Sequence, residues 1–100
     1  MLTYARFEDL PVWQEAIRLA EECGDVIEAA KDSTSWSKRD QIDHASLSVS
    51  NNIAEGFERG TTKELLAFLY IARGSAGEVR FYSLLLRAAT ETGNLQLSNY

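Results

Sequence analysis

Apolar residues recur every three or four positions along most of this chain, and no segment alternates as a half-buried strand would. Trp13, Ile17, Ala20, Cys23 or Gly24, Ile27 and Ala30 form one stripe, which predicts a first helix over about residues 10–30. Asp9 stands where an N-cap belongs, and Pro11 fits a first helical turn because its missing N–H has no partner there. Phe7 and Leu10 precede the stripe and can fold back over it. A polar linker, K-D-S-T-S-W, leads to Ser37 and Asp40, an approximate capping box, and to a second helix over about residues 38–57. Its stripe is Ile42, Ala45 or Ser46, Val49, Ile53 and Gly56 or Phe57. It also carries Ser46, Ser48, Ser50, Asn51 and Asn52, which are weak helix formers, so this helix must depend on tertiary contacts. Gly60 ends it. Thr61 and Glu64 form a second capping box, and a third helix is predicted over about residues 62–92, closed by Gly93.

The third helix carries two apolar stripes. Leu65, Leu69, Ala72, Ala76, Val79 and Leu86 form one; Leu66, Tyr70, Gly77, Phe81, Leu84 and Ala88 form the other. Two shorter helices cannot cover both. Small residues concentrate at Ala54 and Gly56, and again at Gly74, Ser75, Ala76 and Gly77, where they permit close approach of helix backbones. With Asn51 and Asn52 they mark a contact, read either as tight packing of helices two and three or as an oligomer interface or ligand niche. The fold expected is an all-α, antiparallel up-down helical bundle, forming a single domain over residues 1–100.

Charge changes this picture by being uneven. The net charge is −5, yet residues 33–100 balance: residues 1–32 hold eight acids against three bases. The acidic excess repels a phosphate backbone and disfavours nucleic acid as a partner. Arg59, Lys63, Arg73, Arg80 and Arg87 are the basic positions that could contact nucleic acid or an acidic partner. Arg73, Arg80 and Arg87 are seven apart and share a helix face. That stripe reads as a phosphate track or as the complement of Glu15, Glu22 and their neighbours on the first helix of another copy, giving head-to-tail assembly.

The chemistry-bearing residues are sparse. One histidine, His44, one helical turn after Asp40, does not make a metal site. Cys23 lies in an apolar stripe without an elbow or oxyanion motif, and E-G-F-E-R-G lacks phosphate-loop spacing. Glu55 and Glu78 read as salt-bridge partners for Arg59 or Arg73. The expectation is therefore a non-enzymatic protein with no catalytic residues, metal or cofactor. One cysteine, no signal-like N-terminus and no apolar run of about 20 residues place it in the cytoplasm, outside any membrane.

Three motifs, F-E-D-L-P-V-W-Q-E-A (residues 7–16), S-V-S-N-N-I-A-E-G-F (48–57) and F-L-Y-I-A-R-G-S-A-G-E (68–78), occur in an order and spacing that resemble the 23S ribosomal RNA intervening-sequence proteins, bacterial four-helix bundles related to the accessory variability protein of diversity-generating retroelements. The resemblance implies a homopentamer and, by the retroelement branch, a nucleic-acid or reverse-transcriptase partner. This chain departs from the basic pattern ahead of the central motif, with Asp43 and His44 there and a pI of about 4.8. The resemblance also implies a fourth helix beyond Gly93, where N-L-Q-L-S-N-Y leaves it missing or a stub. On these grounds the chain is expected to be a self-assembling scaffold or adaptor, with an RNA-binding accessory protein as the alternative.

Overall fold

A computed structural model describes residues 3–92, with side chains placed for residues 3–88. Among them, a 3-10 turn at Phe7–Asp9 precedes three helices, α1 (Pro11–Ala29), α2 (Trp36–Glu58) and α3 (Thr62–Thr92). The fold is all-helical. The expected fourth helix and the closing role of Gly93 lie outside the described residues.

Entry into α1 differs from the expectation. The 3-10 turn places Asp9 one residue early, so Leu10 takes the cap position without a side-chain acceptor. Asp9 instead accepts a hydrogen bond from Arg6 at 3.1 Å. The entry is held by Gln14, whose Nε2 donates to the Glu8 carbonyl at 3.0 Å, and by Phe7 edge-on to Trp13, with ring centroids 5.2 Å apart. Leu10 is buried and Phe7 packs on the core, as their place before the stripe suggests.

The start of α2 also falls earlier than predicted. Ser35, not Ser37, caps it by accepting from the Lys38 N–H at 3.3 Å, so the helix opens at Trp36. Ser35 has the extended backbone an N-cap needs, whereas residue 37 is already helical. At the other end Gly60 has φ +85°, a conformation that favours glycine, and its N–H reaches the Phe57 carbonyl at 3.2 Å. Thr61 caps α3 as predicted: its Oγ1 accepts from the Glu64 N–H at 3.2 Å and donates to Glu64 Oε1 at 3.0 Å, so the carboxylate meets the hydroxyl rather than the Thr61 backbone.

The tight turn makes α2 and α3 an antiparallel hairpin, and α1 returns along α2 through the linker, so α2 is the middle helix. The backbones of α1 and α3 do not pack closely. Ile42, Val49 and Ile53 of α2 meet Ala16 and Cys23 of α1 and Ala72 and Val79 of α3. The serines predicted to weaken α2 are what permit this. Ser46 and Ser50 are buried, and each returns its hydroxyl proton to the carbonyl three residues back, at 2.9 and 3.1 Å. They are small and satisfied, so neighbouring helices can pack against them.

Gly56 sets the closest approach. A β-carbon there would sit 2.6 Å from Phe68 Cβ and 3.3 Å from the Leu65 backbone. Gly56→Ala should therefore destabilise the fold by ~1–3 kcal/mol through overpacking, despite alanine's better helix propensity. Gly24→Ala, with nothing within 4 Å of the new carbon, should instead stabilise by ~0.5–1 kcal/mol. Denaturant midpoints of the two variants moving in the same direction would contradict this account.

Candidate functional site

Two surfaces bring the sequence-predicted residues together, and they lie on different sides of α3. One is a groove of about 580 Å³ along the α2–α3 seam. Residues 41, 44, 48, 51 and 52 of α2 line it by their three- and four-residue spacing, facing Ser75 and Glu78 of α3. Ser48 and Ser75 share a hydrogen bond of 2.8 Å across the seam. Asn52 donates to the Ser48 carbonyl at 2.8 Å and to its hydroxyl at 3.0 Å. This satisfied network is the amide-and-hydroxyl packing expected between helices two and three. Asn51 is exposed at the rim. The sequence reading did not join Gln41, His44 and Glu78 to this groove, although the spacing of residues 41, 44 and 48 was available to do so.

The other surface is the outward face of α3. Leu66, Tyr70 and Phe81 from the second apolar stripe are 52%, 70% and 54% exposed, while Leu84 of the same stripe is half-buried and Ala88 is buried. Arg73, Gly77 and Arg80 lie among them by helical spacing and are exposed. Gly74 and Gly77 have nothing within 4 Å of where a β-carbon would stand. Of the two readings given for these small residues, the packing one does not hold for Gly74 and Gly77: within the chain Gly56 closes the α2–α3 contact, with Ser75 and half-buried Ala54 and Ala76 beside the seam. The glycines at 74 and 77 sit a third of a turn or more away from it.

The basic positions divide. Arg59 is engaged within the chain, pairing with Glu55 at 3.0 Å and Glu64 at 3.9 Å and lying 5.1 Å from the Phe68 ring centroid. It staples the α2–α3 turn, as the reading of Glu55 allowed. Lys63 is exposed at the start of α3. Arg73 and Arg80 form no ion pair among the described residues, whereas Arg87 lines a cleft of about 400 Å³ with Val26 and Ala29 of α1. The acids of α1 are answered partly by nearby bases: Glu15 by Arg18 of the same helix at 3.1 Å and Glu28 by Lys31, just beyond its end, at 2.8 Å. The Lys31 hydrogen bond holds the Glu28 carboxyl below the usual range.

Cys23 is buried where α1 packs on α2. Burial first, then the charges of Glu22 and Asp43, pushes its thiol up. Such a group is a packing residue rather than a nucleophile. Among the described residues no cluster of three or more histidine, cysteine or acidic side chains could hold a metal ion, and no helix is long and apolar enough to cross a membrane.

What these observations define is an all-helical protein with a polar groove along one seam and exposed apolar residues on the outer face of α3. Within that class the chain belongs to the 23S rRNA-intervening sequence protein family, whose model matches residues 8–97. No curated protein and no solved structure matches it.

Two outcomes follow from this geometry. Ser48→Ala should cost more stability than Ser75→Ala, because it removes both the cross-helix partner and one of the two Asn52 acceptors, the Ser48 carbonyl remaining; Ser75→Ala leaves both Asn52 bonds in place and should cost about 1 kcal/mol. Equal losses in thermal melts would show that the network is not organised around Ser48. Cys23 should alkylate far more slowly in the folded protein than in urea at the same pH. Since folding raises its pKa, the thiol's contribution to stability is complete below the unfolded pKa of ~8.5 and is lost as pH climbs beyond it. A native rate equal to the unfolded rate would contradict its burial.

Proposed function

We propose that this chain is a non-enzymatic helical scaffold that assembles with copies of itself through the outward face of α3, in the cytoplasm. The observation that carries the reading is the exposure of Leu66, Tyr70 and Phe81, with Gly77 bare among them. A large apolar patch on one helix is a usual mark of an interaction site. Burying such side chains contributes ~1.5–3 kcal/mol each, against an association cost of ~4–15 kcal/mol. One stripe is therefore marginal alone, and a second face of the same chain must join in. The resemblance's homopentamer is the expected state, and a protein adaptor role follows from a multimer that presents the polar α2–α3 groove outward.

The family description and the unpaired Arg73 and Arg80 support a second reading, an RNA-binding accessory protein, associated with an rRNA intervening sequence or a retroelement reverse transcriptase. It must overcome a net charge of −5.

Size-exclusion chromatography with light scattering, recording absorbance at 260 and 280 nm, separates the two. The expected result is a multimer with the absorbance ratio of protein alone, reduced to a folded monomer by Tyr70→Ser with Phe81→Ser. A folded wild-type monomer would overturn the scaffold reading. A species carrying nucleic acid that salt releases would establish the second reading in its place.

A further inference from the structure

We propose that the groove between α2 and α3 receives an arginine side chain from a peptide segment of a partner protein. This deepens the adaptor part of the reading above by naming the partner's chemistry, and it does not depend on self-association. The groove's volume of about 580 Å³ falls within the ~300–1,000 Å³ common to ligand sites. No lysine or arginine lines it, and its one carboxylate is the exposed Glu78. The salt bridge expected for Glu78 does not form: it has no ion pair among the described residues, whereas Glu55 holds Arg59. A carboxylate left without a base in a groove of neutral amides and hydroxyls favours a cation and disfavours a phosphate.

The other groups in the groove add acceptors. Every member of the serine and asparagine network has a partner, yet bonding capacity is left over. The Ser48 carbonyl can only accept, so the Asn52 atom that meets it at 2.8 Å is the amide nitrogen. Asn52 Oδ1 is then left without a donor among the described residues. Gln41 and Asn51 stand exposed on the wall with amide oxygens of their own. A guanidinium suits this set better than an ammonium. Its planar fork bonds both oxygens of a carboxylate and still has N–H groups for an amide oxygen.

Two further observations point to a peptide rather than a small guanidine. Ser48 and Ser75 carry two hydroxyl protons and share one bond of 2.8 Å, so whichever donates, one proton has no acceptor among the described residues. That proton and the N–H groups of Gln41 and Asn51 call for an acceptor, which a peptide supplies in each carbonyl and a guanidinium lacks. The groove also has apolar edges. Leu47 lines it and is 44% exposed, and Ile71, 53% exposed, lies one turn before Ser75 on the same side of α3. Such edges cover the methylene stem of an arginine while its head reaches the polar groups.

Fluorescence anisotropy of labelled peptides tests this on the wild-type protein. The probe carries one arginine flanked by glycine and serine; two further peptides replace the arginine by lysine or by citrulline, which keeps the shape and loses the charge. The arginine peptide should bind saturably and about tenfold more tightly than the citrulline peptide, with the lysine peptide weaker than arginine. Glu78→Gln should lower the affinity about tenfold with helicity unchanged, since the residue is exposed and forms no hydrogen bond or ion pair among the described residues. The citrulline comparison stands whatever a variant does to folding. Ethylguanidinium, which keeps the cation and lacks carbonyls, should displace the peptide only at about tenfold higher concentration or more. Displacement at equal concentration would overturn the peptide as occupant. Equal binding of arginine and citrulline peptides, or affinity unchanged by Glu78→Gln, would overturn the guanidinium site, as would a labelled single-stranded RNA that binds where the peptide does not. A wild-type monomer that binds the peptide would leave this inference standing without the self-assembly; a multimer that ignores the peptide would do the reverse.

Discussion

The fold depends on how closely α2 and α3 approach at Gly56. The Phe68 β-carbon occupies space that any side chain at residue 56 would claim, so the two helices lie nearer there than ordinary core packing allows. Other contacts follow from that approach. Phe68 comes within reach of the Arg59 guanidinium, and Ser48 comes within 2.8 Å of Ser75 further along the seam. The turn supports the same geometry from outside, with Gly60 in the left-handed region and Thr61 capping α3. Since α2 is the middle helix, the seat of α1 depends on this hairpin as well.

The polar content of α2 belongs with this constraint. A helix filled with leucine and isoleucine would hold its neighbours further away. Ser46 and Ser50 are buried at little cost because their hydroxyls bond to their own helix, and their size leaves room for α1 and α3. The low intrinsic propensity of α2 is offset by packing on both sides, the usual way a helix of weak formers persists in a protein.

Much of this was legible in the sequence, and the misses have local causes. Helix periodicity, Pro11 in a first turn, the Gly60 break and the Thr61 cap all appear in the structure, because each is set by residues within one helical turn. The caps at Asp9 and Ser37 were misplaced for the same local reason. A 3-10 turn before α1, and a serine two residues earlier before α2, competed for the cap position, and spacing alone does not choose between neighbours. The small residues were harder. Gly56, Gly74 and Gly77 look alike in sequence, and only the direction of each along its helix shows that the first touches α3 while the other two face outward. The two stripes of α3 were visible, and so was the excess of one over what two helices can cover. What covers the exposed part of the second stripe is not a local property, and periodicity is silent on it.

The two kinds of residue on the outer face of α3 do different work. Burying Leu66, Tyr70 or Phe81 is worth a few kcal/mol each and does not discriminate among apolar partners. Arg73 and Arg80 would contribute little affinity from an exposed helix, at most about 1 kcal/mol per pair, but a like charge opposite them would add a penalty that biases partner choice. An apolar face without such charges would associate with many surfaces; a charged face without the apolar residues would scarcely associate at all.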